Sequence, residues 1–423
     1  MSSSMYAAIS GLNADQTMLS TVSENIANVN TVGYKASSVE FAQALQQTLA
    51  GASAPTASLG GINPEQQAAG SAVNVGAIAV NMGQGSLQTT GINTNLAIQG
   101  NGMFVLNGSQ GTSYSRAGDF SLDANGNLIN PMGEFVQGWN ATTPGTMPTL
   151  NPTTMQNVTI PQGETIAPVE TSNIALNGNL DSQTSTGAAN AVTVPVTSYD
   201  SLGNGDTVAF TFTPQGSTGT ATSSWTLSYT VTNGSGTTSA STSVGTVTFG
   251  ANGQLTSPTA PPTYTITLPP PAGSTTSQSV TLNVSGLTGY AGQSQLQGTG
   301  NGSAAGVLEN FSIGASGSIV GTFSNGLTAK IGQIAMASFS NPAGLLNIGN
   351  GAWQQSPNSG VPQIGAPATG SLGTLQAGSL EGSNVNLANE FVNMVIAQQG
   401  YQANAKVITV AQQDRSTLVN MIQ

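Results

Sequence analysis

The residues best spaced for chemistry lie between Asp123 and Glu134. Asp123, Asn125, Asn127, Ile129 and Glu134 stand at positions one, three, five, seven and twelve of a calcium-binding loop. The sixth position, where such a loop needs glycine, is Leu128, and no helical pattern flanks the stretch. Asp123-Ala124-Asn125-Gly126-Asn127 therefore reads as a hairpin turn, with Asn125-Gly126 accepting positive φ at both central positions. Gly100-Asn101-Gly102 and Gly349-Asn350-Gly351 are too short for a dinucleotide fingerprint and open no helix. The sixteen carboxylates are scattered, and no motif marks a glycosidase-type pair. Histidine and cysteine are both absent, which removes the commonest general base, the commonest metal ligand, and any thiolate or disulfide. No enzymatic activity, metal or cofactor is expected.

The same composition excludes several partners. Only 5% of the 423 residues are charged, whereas Gly alone numbers 54, so hydroxyls and amides must carry solubility. Five basic residues against sixteen acidic ones leave nothing to neutralise phosphates, so nucleic acid and anionic membrane surfaces are both excluded. No 18-residue apolar stretch predicts membrane insertion, and Met1 to Ser10 lacks the features of a cleavable secretory signal. Yet a Ser/Thr/Gly-rich, thiol-free chain has an extracellular make-up. The two observations conflict unless export uses another route.

Two elements stand out as positioning devices. From Asn386 to Gln423, Leu387, Phe391, Met394, Gln398, Tyr401, Ala405, Ile408, Gln412, Arg415, Val419 and Ile422 fall alternately four and three apart. This is the seam of a coiled coil on a helix roughly 55 Å long at 1.5 Å per residue. Asn384 or Asn386 can cap its start. Met5, Ile9, Leu12, Gln16, Leu19, Ser23 and Ile26 repeat the pattern on a helix from about Ser4 to Asn28, after which Gly33 suits a positive φ. The two helices can pair to close one domain, or their remaining apolar surface can serve copies of the same chain.

Between them the period is two. A short helix is possible over Phe41, Ala44, Leu45 and Leu49, and Gly51 to Gly70 reads as linker. Strand patterns begin at Val73, Val75, Ile78 and Val80, and continue through Leu96, Ile98, Phe104 and Leu106. Prolines at 144, 148, 152 and 161 mark a boundary. Beyond it Val192/Val194/Val196, Val208/Phe210/Phe212 and Trp225/Leu227/Tyr229 alternate as in a sandwich or barrel. A second low-order stretch runs from about Ser359 to Gly382. The order is nearly palindromic. It predicts a mostly β protein with terminal α-helices in nested, discontinuous domains: 1–32 with 385–423 as a coiled-coil-like axial domain, 33–72 with 360–384 as a connecting linker domain, and two outer β domains. The inner of these combines 73–160 with 306–359, and the outer spans 161–305.

Several segments then resemble one family. Asn25-Ile26-Ala27-Asn28-Val29-Asn30-Thr31-Val32-Gly33-Tyr34-Lys35 is similar to the N-terminal signature of bacterial flagellar rod and hook axial proteins. Leu96 to Val105 and Tyr114 to Gly126 resemble their shared core strands. Leu380-Glu381-Gly382-Ser383-Asn384-Val385-Asn386-Leu387 and Ala397 to Lys406 resemble the C-terminal signature, with Asn386 where Asp is usual and Met103 where Phe is usual. The long central module, with Asp200 to Asn204 and Phe339 to Leu345, favours the hook branch over the shorter rod proteins. The resemblance marks Asn28, Thr31, Gly33, Tyr34, Lys35, Asn384, Tyr401, Asn404 and Ala405 as signature positions. It also implies that Met5, Ile9, Leu12, Leu19, Ile26, Leu387, Phe391, Met394, Tyr401, Ile408, Val419 and Ile422 form an axial assembly seam. Further implications are a homopolymer of many copies outside the cell, and partners among a hook cap protein, distal rod proteins and hook–filament junction proteins. Export would run through the flagellar type III apparatus, without a cleaved signal. The polymer would be a curved, flexible tube acting as a universal joint between motor and filament. A distal rod protein or a secreted β-rich adhesin is the alternative.

Overall fold

The computed structural model describes residues 2–43, 46–50, 65–68, 73–147, 149–217, 223–259, 262–270 and 277–421. The chain divides into two compact units: one holds residues 1–161, 311–320 and 329–423, the other 162–310 and 321–328.

The first unit contains both long helices, α1 (Ser2–Ala27) and α2 (Leu387–Met421). Hydroxyls along α1 satisfy themselves within the helix: Thr17, Thr21 and Ser23 donate to the carbonyls of Asn13, Thr17 and Leu19, four residues back. Asn386 caps α2, its Oδ1 accepting from the N–H groups of Ala388 (3.1 Å) and Asn389 (3.3 Å). Glu390 in the first turn complements the helix dipole.

Between the helices, the outgoing and returning legs of the chain pair antiparallel in nested order. Leu87–Thr89 pairs with Ser379–Glu381, and Leu96–Gln99 with Thr374–Ala377. Further in, Met103 and Phe104 face Ala337 and Met336, and Gly138 to Asn140 face Ile334 to Gly332, while Tyr114 pairs with Trp353 out of that order. Met103, Val105, Tyr114, Trp139, Ala335, Ala337, Phe339 and Trp353 close one core cluster here. Tyr114 meets Phe339 edge to face at 4.8 Å, and Phe104 meets Phe120 likewise at 4.9 Å.

Two expectations are corrected in this unit. The segment read as a possible short helix contains the ends of two strands, Ser37–Gln43 and Gln46–Ala50; the first pairs with Val73–Val80, the second with Glu65–Ala68. Phe41 and Leu49 thus lie in strands, because Val73–Val80 and Glu65–Ala68 respectively offer ladders that a short, weak helix cannot match. Ala44 and Leu45 fall outside the described residues, as does most of the expected linker, Gly51 to Gly70, and Pro148 of the boundary. Second, the stretch read as low-order from Ser359 to Gly382 carries the short strands Gln363–Gly365, Thr374–Ala377 and Ser379–Glu381. In two cases their partners lie far earlier in the chain, at Leu96–Gln99 and Leu87–Thr89, so no local pattern announces them.

The second unit packs two sheets on one core. A five-stranded antiparallel sheet runs Val192–Tyr199, Gly205–Ser217, Ser223–Thr232, Thr242–Phe249 and Leu255–Ser257. A four-stranded sheet holds Thr263–Leu268, Gln278–Thr288, Asn173–Asn179 and Gln295–Gly300, in that order. Asn173–Asn179 and Gln278–Thr288 run parallel, and the whole five-stranded sheet forms the crossover that such a pair requires. Phe210, Phe212, Trp225, Leu227 and Phe249 from one sheet meet Ile174, Leu176, Val280 and Leu282 from the other. Each such side chain contributes about 1.5–3 kcal/mol by burial. The outward positions are mostly Thr and Ser, with hydroxyl pairs such as Thr193/Thr211 at 3.1 Å across the strands.

The Asp123 hairpin differs in one detail from the turn expected. Gly126 alone takes a positive φ (79°), while Asp123 Oδ1 accepts from the N–H groups of Asn125 and Asn127, each at 2.8 Å. The carboxylate organises a wider turn, so Asn125 need not enter the left-handed region. Asp200-Ser201-Leu202-Gly203-Asn204 repeats the device, with Gly203 at φ 85°.

Candidate functional site

Several of the residues that carry the family-like signatures converge on one buried knot, while Tyr401, Asn404 and Ala405 lie along α2. Lys35 and Glu381 are 346 positions apart, yet Lys35 Nζ lies 2.7 Å from Glu381 Oε1, with neither side chain accessible to solvent. Lys35 also donates to the carbonyl of Gly83 at 2.8 Å, and Glu381 Oε1 accepts from the Gly85 N–H at 2.8 Å. Arg116 approaches from a third segment, its Nε 3.6 Å from Glu381 Oε2 and its Nη2 donating to the Gly100 carbonyl at 2.8 Å. Burial pulls the Lys35 ammonium below the usual lysine range, opposed by the hydrogen bond and charge of Glu381. Burial also lowers Arg116, again opposed by Glu381.

The loop after α1 is built around this knot. Asn28 Oδ1 accepts from Thr31 Oγ1 at 3.0 Å and closes the turn. Gly33 takes φ 68°, and a Cβ there would lie 2.6 Å from the Ala117 nitrogen, so conformation and space both demand glycine. Its N–H donates to the Glu381 carbonyl at 2.7 Å. Tyr34 donates to Asn25 Oδ1 at 3.2 Å, while Asn25 and Ser37 exchange two backbone-to-side-chain bonds. Burial, then Glu24 and Glu390, push the Tyr34 phenol up. Asn384 completes the junction before α2: its Oδ1 accepts from Ala36 N at 2.8 Å and its Nδ2 donates to the carbonyls of Asn81 and Gly83.

From this junction the two helices run antiparallel, as two close approaches require. A Cβ on Gly11 would meet Asn404 at 2.6 Å, and one on Gly400 would meet Asp15 at 2.9 Å. Asn404 Nδ2 donates to Asp15 Oδ2 at 3.0 Å between them. The face that α1 buries is made of Ala8, Gly11, Ala14, Thr21, Val22 and Asn25; that of α2 has Glu390, Ala397 and Ala411 buried, with Gly400, Asn404 and Ile408 half-buried. Small residues at these positions let the backbones approach closely.

The larger apolar side chains mostly point elsewhere. Phe391 is 53% exposed and Val419 59%, and Ile9, Leu387 and Tyr401 are also exposed. Met5, Leu12, Leu19, Ile26, Met394 and Ile408 are half-buried, as is Ala405. Ile422 lies outside the described residues. Val392, Val395, Ile396, Val407 and Val410 extend the exposed apolar set of α2. The apolar heptad positions are thus divided: five are exposed, and the half-buried ones include Ile408, which also stands on the line where α2 meets α1.

Asp15, Gly11, Gly400, Gly83 and Gly85 carry roles that no sequence motif announced, since each depends on a distant partner. Arg116 could have been found from scarcity: it sits in a recognisable segment of a chain with five cations. Among the described residues no cluster of acidic or metal-ligating side chains could hold a metal, and no helix is long and apolar enough to cross a membrane. Asp123 is already committed to its own turn.

Comparison with known proteins places these features in context. The family description "Flagella basal body rod protein" matches residues 5–35, and "Flagellar hook protein FlgE/F/G D1 domain" matches 97–182. "Flagellar basal body protein FlaE D2 domain" matches 172–302, and "Flagellar basal body rod FlgEFG protein C-terminal" matches 376–421. The chain is 34% identical to the flagellar hook protein FlgE of Treponema pallidum, over 100% of both chains. It is 35% identical to that of Escherichia coli, over 98% of both. A crystal structure of the Helicobacter pylori flagellar hook protein FlgE2 shares the fold, with a TM-score of 0.53 at 16% identity, covering 70% of this chain and 100% of that one.

Proposed function

Since this chain belongs to the bacterial flagellar hook protein family and is a structural subunit of the hook, we propose that its copies assemble through the outward faces of α1 and α2. The observation that carries this reading is the division of labour on α2. Small residues meet α1, whereas Phe391, Val392, Val395, Ile396, Val407 and Val410 remain exposed on one chain. An apolar face of this length is costly in water and is relieved when copies pack side by side. The axial seam proposed between subunits is Met5, Ile9, Leu12, Leu19 and Ile26 with Leu387, Phe391, Met394, Tyr401, Ile408, Val419 and Ile422, of which Ile408 also faces α1 within one chain.

The polymer is a tube whose wall is made of terminal helices and whose β units contribute lateral contacts. It is curved and flexible, and transmits torque as a universal joint. Contacts between nearly uncharged Thr/Ser surfaces support that reading, because hydroxyl hydrogen bonds can be exchanged at little cost as neighbours slide. The hook cap, distal rod and junction proteins are its partners, and it leaves the cell by the flagellar type III route without a cleaved signal. Electron microscopy of purified, concentrated protein tests assembly: tubes are expected, and protein that stays monomeric at all concentrations refutes it.

A further inference from the structure

The charged knot is not electrically balanced. Lys35 and Arg116 are both buried, and Glu381 is the one carboxylate that pairs with them, so the knot carries an excess positive charge. Among the described residues these are the only ion pairs. Arg116 is loosely held. Its contact with Glu381 Oε2 is 3.6 Å long, and that oxygen and Arg116 Nη1 are both buried with no hydrogen-bond partner. An unfilled donor on a buried guanidinium is costly, and the planar fork is shaped to take a carboxylate.

Arg116 is also the one charged residue lining a cavity of about 370 Å3. Met82, Met103, Phe339 and Pro342 supply its apolar wall, and Asn101 and Gln363 add amides. The Arg116 side chain lines the cavity, and 6% of it remains accessible. The cavity therefore offers an apolar lining around one under-satisfied cation. In a chain of net charge −11, the abundant complement is a carboxylate on a short aliphatic stem. Glu164, Glu170 and Glu309 are exposed examples.

We propose that this cavity receives an acidic side chain of a second copy, whose carboxylate pairs with Arg116 when subunits assemble. The proposal rests on the polymerisation inferred above. It adds a directional, charge-assisted contact to an interface otherwise made of apolar and hydroxyl groups, and that contact sets register between copies.

The test compares the parent with Arg116→Met, which removes the excess charge, and Ser371→Trp, which fills the cavity from its rim and leaves the knot intact. Critical concentration for assembly is read by sedimentation, with monomer melting as the folding control. Both variants should raise it on the order of tenfold or more, as expected for truncating one partner of a buried charge pair. Propionate should raise it for the parent relative to chloride at equal ionic strength, and leave Arg116→Met unchanged. If Arg116→Met does not fold, Ser371→Trp decides. Variants that assemble at the parental concentration overturn the proposal. So does propionate binding to the parent monomer, seen calorimetrically, with no effect on assembly, because the cavity is then a site for a free small carboxylate. A parent that never assembles refutes the hook reading itself, and this proposal with it.

Discussion

Glu381 shows how much one residue can hold together. Its side chain accepts from Lys35 and Gly85 while its backbone carbonyl accepts from Gly33, so the loop after α1 and the stretch around Gly85 both depend on it. Glu381→Ala leaves the Lys35 ammonium buried without its counter-ion, and removing one partner of such a pair costs about 3–5 kcal/mol. Denaturant unfolding of the monomer should show that loss in the first unit, while the second unit unfolds as before. Asp200 makes a pH-dependent contribution. Burial raises its pKa, but hydrogen bonds from the side chain and backbone of Asn204, and from Leu202 and Gly203, outweigh this and hold the carboxyl below its usual range. A depressed folded pKa means stability present above the ordinary aspartate range, near pH 3.9, and lost as pH falls through the folded value. Asp200→Asn keeps acceptors for the backbone N–H groups and removes the titration. Its melting temperature should fall less steeply than the parent's in acid; parallel curves would show that Asp200 does not contribute.

At the scale of elements, α2 has one face against α1 and one apolar face left exposed. Phe391 is more than half exposed, so Phe391→Asp should leave monomer melting within about 0.5 kcal/mol of the parent, as for surface substitutions generally. In the assembled state it would place a charge in a dry helix interface, at a cost of several kcal/mol. Loss of tubes with an unchanged monomer is expected from sedimentation and microscopy; tubes at the parental concentration would show that the outward face is not the seam. Gly11 probes the opposite face. Gly11→Val brings side-chain atoms onto Asn404 and disrupts its bond to Asp15, so hydrogen exchange along both helices of the monomer should accelerate. The contrast between the two variants separates pairing within a chain from packing between chains.

On the scale of the whole molecule, the second unit has a core of its own, drawn entirely from residues between Ile174 and Leu296. The nested strand pairs of the first unit use none of them. Replacing about 165–300 by a short Gly/Ser linker should therefore leave the first unit folded and competent to form tubes. Those tubes should be straighter than the parent's if the second unit supplies the lateral contacts that favour curvature. Negative-stain images decide it: curved tubes of parental pitch would remove that role, and no tubes would place the unit in the polymer's core.

What the sequence determined by itself were the local features and the broad order. Both long helices, the Asn386 cap, the Gly33 stop and the alternating strands of the central module are set by periodicity, caps and turn chemistry within a few residues. The palindromic order announced a chain that goes out and returns, and the signature segments announced the family. The tertiary structure alone decided which face of each helix turns inward. Heptad spacing marks apolar positions but not their partner, and the inner line went instead to Gly11, Ala14, Ala397 and Gly400, where backbones can come close. It also decided that Lys35, Arg116 and Glu381 share one site, and that Ser379–Glu381 is a strand. Those outcomes depend on ladders and charges that meet across as many as 346 positions, a separation over which no local pattern carries information.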